Sequence, residues 1–290
     1  MLKMPAETLS STQNSSDFSN VTKDYFCTEQ PIGPLFWSGF SVVCLILGFP
    51  AIVMVLQELC QRHRQNISND FFVFNLTFID LSYLSILPFS VFNYMIWHNI
   101  QFEWFCNFMY SLTVSGRPLF MACVCGDYYF AVVHPIIYMT NKRSAMIRKI
   151  ISVIIWLFII GFGSLAASSS WIYFTVLGCT PLFISLPVIG FCDVIVFRAL
   201  RKTNHSGKSN VHPQKKRALR TIVNSFVMTF IVYLPPSMVF SLGNNYHLSY
   251  ETQYCILLFV AVCFTISGCV IMPVLYLEST GQLNIRRIMK

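Results

Sequence analysis

The sequence predicts an all-α, seven-transmembrane helix bundle, and three observations carry that reading. Hydrophobic residues make up 55% of the 290 positions and charged residues only 11%, against roughly 45–50% and about 25% in a soluble domain. The apolar residues gather into seven runs, each long enough to cross a hydrocarbon core of about 30 Å. The runs are continuous rather than alternating with period two, which disfavours a barrel, and helices are then the way to pair every backbone group in lipid. A soluble enzyme does not fit this composition. No GxxxxGK[ST] loop, HExxH or paired CxxC occurs, so no enzymatic activity, metal or cofactor is expected. The net charge of +8 resides in particular loops rather than on one solvated face, which argues against a nucleic-acid partner; the bilayer is the partner expected instead.

Residues 1–34 are polar and rich in Ser, Thr and Asn, the composition of a flexible tail. The expected spans follow at 35–57, 71–96, 104–130, 150–170, 180–198, 218–242 and 253–277, so the bundle occupies 35–277 and a short tail 278–290. In that tail Leu283, Ile285, Ile288 and Met289 stand beside Arg286, Arg287 and Lys290, the pattern of an interfacial helix. The connections after the first, third and fifth spans, with the last tail, hold 17 of the 20 Lys and Arg. Positive charge marks the cytoplasmic side, so the N-terminus is expected outside, the C-terminus in the cytoplasm, and the chain as a multi-pass protein of the plasma membrane. The sequons at Asn14 and Asn20 then face outward as glycosylation sites, whereas those at Asn66 and Asn204 stay bare. Of 11 cysteines, Cys27, Cys106, Cys179 and Cys255 fall outside or at the outer rim, where disulfides persist, and they allow three pairings. The others read as small hydrophobes.

Several motifs stand in order along these spans. The second contains Asn75-Leu76-Thr77-Phe78-Ile79-Asp80; the third ends in Asp127-Tyr128-Tyr129-Phe130-Ala131-Val132-Val133-His134-Pro135. Trp156 lies in the fourth and Pro187 in the fifth; Phe230 to Pro236 and Met272-Pro273-Val274-Leu275-Tyr276 mark the last two. Together they resemble the rhodopsin-like (class A) G-protein-coupled receptors in divergent form. Within that family, the stretch to Pro135 and a candidate Cys27–Cys255 pair look most like the branch with nucleotide, lipid-mediator and chemokine receptors. The resemblance also implies a Cys106–Cys179 bridge. It implies a switch and G-protein interface at Asp127, Tyr128, Tyr129, Pro236, Pro273 and Tyr276.

The departures from the family are as informative. The family's arginine at the G-protein interface is Tyr128 here, and a phenol offers neither fixed charge nor a five-donor fork. Met272 replaces the asparagine of the seventh span. Cys106 lies closer to Tyr128 than the family's spacing, and the outer loop before the fifth span is short. Arg117, eleven positions before Tyr128, lies mid-membrane and needs a partner. As the family aligns, it stands beside Asp80 where a small hydroxyl residue is usual, so an Asp80–Arg117 ion pair is expected in place of the sodium ion the family holds there. The alternative is that Arg117 snorkels or neutralises another group.

A protonated amine wants a carboxylate in the outer half of the third span, where Tyr110, Ser111 and Val114 stand. A nucleotide wants Arg or Lys, and the outer halves of the spans contain none. A lipid or peptide ligand is therefore favoured over an amine or nucleotide. The candidate lining is Asn93, Tyr94, Trp97, Tyr110, Phe240, Ser241 and Tyr246, although aromatic residues at this depth also serve as interface anchors. His98 and His247 read as ordinary loop histidines rather than proton sensors. The function implied is a receptor that transduces binding of an extracellular ligand to a heterotrimeric G protein. The competing reading, motivated by Tyr128, is a non-signalling receptor-like protein, a ligand sink or heteromer partner. A transporter or channel would need more intramembrane charge.

Overall fold

The computed structural model describes residues 27, 31–64, 70–134, 136, 138, 144–168, 171–204, 224, 227–236, 238 and 253–280, and the regular structure among them is entirely helical. Among the described residues, six helices are long and apolar enough to cross a membrane, and a further helical segment stands between the fifth and the last of them. Helix α1 runs Ile32–Arg64, about 50 Å at 1.5 Å per residue, and overshoots the hydrocarbon at its basic end, where Arg62 Nε pairs with Glu58 at 2.6 Å. Helix α2 spans Phe71–Phe92 and widens into a π turn over Asn93–Trp97. His98 closes that turn in the left-handed region with φ 52°, its N–H donating to the Asn93 carbonyl at 2.8 Å. This caps the carbonyls that a helix C-terminus leaves unpaired.

Helix α3 is Ile100–Val133. Asn99 caps it, with Oδ1 accepting from the N–H groups of Gln101 at 3.0 Å and Phe102 at 3.2 Å, which answers two of the four orphan donors at a helix start. Helix α4 is Ser144–Ser168 and α5 is Trp171–Asn204. In α6, described at 224, 227–236 and 238, a π turn over Thr229–Tyr233 immediately precedes Pro235 and Pro236. A proline supplies no N–H to the turn before it, and widening that turn is one way a helix absorbs the loss. Helix α7 spans Leu258–Thr280 after a π turn over Gln253–Leu257.

Helix α3 packs against α2, α4 and α5, while α7 packs along α1 and touches α6. Gly116 permits close packing of α3 on α2 and α4: a β-carbon there would lie 2.7 Å from Ile79 Cδ1 and 3.1 Å from Ile159 Cδ1. Outward-facing Ile46, Leu47, Leu157, Phe183 and Phe191 are all more than half exposed, as suits helices whose solvent on that side is lipid. Several helices begin earlier than the apolar runs: α3 at Ile100 rather than 104, α4 at Ser144 rather than 150, α5 at Trp171 rather than 180. Hydrophobicity marks the part of a helix that meets lipid, and capping sets where it starts. Of the expected tails, 1–34 and 278–290, residues 1–26, 28–30 and 281–290 lie outside the described residues.

Candidate functional site

Helices α2, α3 and α7 converge on a charged node deep in the bundle. Arg117 is 1% exposed and Asp80 0%, and Arg117 Nε donates to Asp80 Oδ1 at 2.7 Å. Nη1 donates to the Thr265 carbonyl at 2.6 Å and Nη2 reaches Cys269 Sγ. The guanidinium therefore spends its planar fork on three partners from two neighbouring helices, which a lysine's point charge does not reproduce. Gly268 leaves the room, since a β-carbon there would lie 2.5 Å from Nη1 and 2.9 Å from Val232 Cγ1. Two polar groups at the node stay without a hydrogen bond among the described residues, Asp80 Oδ2 and the Tyr233 hydroxyl. With Arg117 this enclosed, snorkelling to the interface does not occur in this structure.

Toward the Cys27–Cys255 end lies a pocket walled by Trp37 of α1, Tyr83, Leu87 and Tyr94 of α2, Glu103 and Tyr110 of α3, and Phe259 of α7, with a cavity volume of about 70 Å³. Tyr110 links pocket and node: its hydroxyl donates to Thr265 Oγ1 at 3.4 Å, and the Thr265 carbonyl is the one held by Arg117. Of the expected lining, Tyr94 and Tyr110 are in the wall. Asn93 is fully buried behind it, with Nδ2 donating to Glu103 Oε2 at 3.0 Å. Trp97 instead turns outward, 58% exposed, packing edge-on to Phe92 at 4.7 Å as an anchor. Phe240, Ser241 and Tyr246 lie outside the described residues. Glu103 was the residue missed, because the apolar run of the third span begins one position after it; an Asn cap followed by an acid in the first turn was the signal that marks it.

Cys27 and Cys255 form a disulfide across 228 residues of sequence, tying the N-terminal segment to the start of α7. The Cys106–Cys179 bridge is not made: Cys106 is a buried free thiol. The physical reason is in α5, where residue 179 sits within continuous helix from Trp171 onward rather than in an outer loop free to reach α3. The side chain of Cys179, like Asn14 and Asn20, is outside the described residues.

At the opposite end, Asp127 pairs with Arg148 of α4 at 3.0 Å, and the Arg148 guanidinium lies 5.1 Å from the Tyr138 ring centroid, a cation–π distance. Tyr138 sits between helices, and burial pushes its phenol above the ordinary range. Tyr128 and Tyr129 pack on Val196 of α5. Tyr276, 6% exposed, donates from its hydroxyl to Asp70 Oδ2 at 3.2 Å. Trp156 Nε1 donates to Asn75 Oδ1 at 2.9 Å, joining α4 to α2. Pro236 and Pro273 are buried in α6 and α7. The residues around Asp127 are thus drawn from α3, α4 and α5, with the charge of Asp127 held by Arg148 of α4 instead of its own neighbour. No group of His, Cys, Asp and Glu suited to a metal occurs among the described residues.

Comparison with known proteins finds similarity to the same family. Residues 50–174 match the family described as 7 transmembrane receptor (rhodopsin family). Human hydroxycarboxylic acid receptor 2 is 27% identical over 270 residues, covering 81% of this chain and 72% of that receptor. The probable C-C chemokine receptor type 3 of Mus musculus is 23% identical over 274 residues, covering 82% and 73%. A purinoceptor of Mus musculus is 25% identical over 122 residues, 41% of this chain, and the chain spans only 37% of that receptor's length. All are receptors rather than enzymes, and they include the chemokine and nucleotide branches anticipated from the motifs. With its helices, its Cys27–Cys255 bridge and these relatives, the chain is similar to the rhodopsin-like seven-transmembrane receptors and divergent from each relative compared.

Proposed function

We propose that the chain is a plasma-membrane receptor, N-terminus outside, in which an extracellular ligand in the pocket biases the packing of α3 against α7 and so the binding of a heterotrimeric G protein. The observation that carries this reading is the continuity from Tyr110 in the pocket wall, through Thr265, to Arg117 and Asp80. A ligand that displaces the Tyr110 hydroxyl acts on the same stretch of α7 that the ion pair grips, and a ligand shifts an equilibrium only through such differential contacts. The proline-flanked π turn of α6 beside this node is the element placed to move. The described pocket wall contains no Lys, Arg or His, so the hydroxycarboxylic acid in the human relative's name does not transfer to this chain, and nucleotides are disfavoured on the same ground. A ligand with an apolar or aromatic body, lipid or peptide, suits the walls.

The second reading, a ligand sink or heteromer partner that does not signal, rests on Tyr128. It packs on Val196 in place of the family's cation. Basal G-protein activation, read with a panel of biosensors in cells at matched surface expression, separates the two. The receptor reading expects signal from the natural chain and more from Tyr128→Arg; silence from both variants favours the sink.

A further inference from the structure

Glu103 is 8% exposed, yet it lines the pocket and takes part in none of the three ion pairs among the described residues. Its Oε2 accepts from Asn93 Nδ2 at 3.0 Å, while Oε1 accepts no hydrogen bond there. Asn93 is held in that orientation from behind: its Oδ1 accepts the Asn99 N–H at 3.1 Å, so only its amide donors face the carboxylate. An amide orients a carboxylate without neutralising it, and a buried carboxylate without a cation is costly. Lining the same pocket is a corner of three mutually packed rings: Trp37 and Tyr94 at 5.7 Å, Trp37 and Phe259 at 5.5 Å, Tyr94 and Phe259 at 5.4 Å. Aromatic faces attract cations, most strongly where water is excluded.

We infer that the pocket takes the protonated amine of a ligand with an apolar body, with the Glu103 carboxylate as its counter-charge and the Trp37, Tyr94 and Phe259 rings around it. This reverses the sequence-based preference against amines, and for a stated reason: the third helix begins at Ile100 and so brings an acid into the pocket wall that the apolar run alone leaves out. The carboxylate also repels acids, consistent with the lack of basic residues among the described residues of the wall. A lipid amine or a peptide with a basic end fits both the charge and the apolar side chains of Ile86, Leu87 and Val262. The inference rests on the receptor reading only in taking this pocket as the ligand site, and its test reads binding alone, so a failure of coupling and a failure of amine recognition are distinguishable.

The test is saturation-transfer NMR on the purified full chain in lipid nanodiscs, with three probes of equal size: 2-phenylethylamine, 2-phenylethanol and phenylacetate. The amine binds saturably, the alcohol more weakly and the acid not at all. Glu103→Gln, which keeps an acceptor for Asn93, weakens the amine by at least about tenfold, the scale of a lost charged hydrogen bond, while leaving the alcohol unchanged. On the native chain, tetramethylammonium displaces the amine and acetate does not, an arm that needs no variant to fold. Equal binding of amine and alcohol, an amine indifferent to Glu103→Gln, or no displacement by tetramethylammonium overturns the proposal.

Discussion

Arg117 and Asp80 are each too deeply buried to stay charged alone, and each is the other's reason for being tolerated. The desolvation of two ions costs several kcal/mol apiece, so the pair is expected to add little net stability over apolar replacements, whereas breaking it is expensive. Arg117→Ala is expected to destabilise the fold by about 3–5 kcal/mol, and the double variant Asp80→Leu with Arg117→Met by far less; thermal denaturation of the purified variants checks this, and equal losses from the single and double variants contradict it. Gly268→Ala pushes a methyl into the guanidinium and Val232, and a loss of about 1–3 kcal/mol is expected by the same measurement. The ion pair was legible because a mid-membrane arginine needs a partner and the resemblance to the receptor family sets Arg117 beside Asp80. Glu103 was not, because a window of hydrophobicity ends where polar residues begin, although the helix does not.

Among the elements, α3 carries both ends of the account, holding the pocket through Glu103 and Tyr110 and the opposite end through Asp127. The Asp127–Arg148 pair fastens α3 to α4, and Arg148 is 5% exposed, so its loss leaves a partly buried carboxylate unpaired. Arg148→Ala is expected to raise hydrogen exchange over the first turns of α4, 144–152, with little change in α1; unchanged protection there would mean that the pair does not hold the helix. Gly33 has a comparable role between α1 and the turn preceding α7, since a β-carbon at 33 would fall on the Cys255 carbonyl. Gly33→Ala is expected to lower stability by about 1–3 kcal/mol and to reduce the fraction of chains with the Cys27–Cys255 bridge, read by alkylation of free thiols. The number and order of spans were legible from the apolar runs. The π turns at Asn93–Trp97 and Thr229–Tyr233 were not, because widening by one residue leaves the hydrophobic pattern unchanged. The expected Cys106–Cys179 bridge failed for a different reason: it was implied by the family alone, the spacing here departs from the family's, and helix occupies the place of the loop.

For the whole molecule, the proposed orientation rests on basic residues gathered in the connections of one side, and glycosylation offers an independent test of it. A mobility shift on glycosidase treatment that vanishes in the variant Asn14→Gln with Asn20→Gln is the expected outcome; a shift that depends instead on Asn66 or Asn204 would invert the topology. The wider proposition is that this bundle carries its own cation at the position where relatives of its fold take one from solution. Sodium is then no ligand of the native chain, while removing the guanidinium and restoring a small hydroxyl reopens the site beside Asp80. Any ion that binds the folded state alone stabilises it by mass action, about 2.7 kcal/mol at a hundredfold excess over Kd. The most direct measurement is therefore thermal denaturation of the native chain and of Arg117→Ser in sodium chloride and in choline chloride at equal ionic strength. The account predicts a native Tm that does not distinguish the two salts and an Arg117→Ser Tm that rises in sodium; a native chain stabilised by sodium, or a variant indifferent to it, contradicts the account.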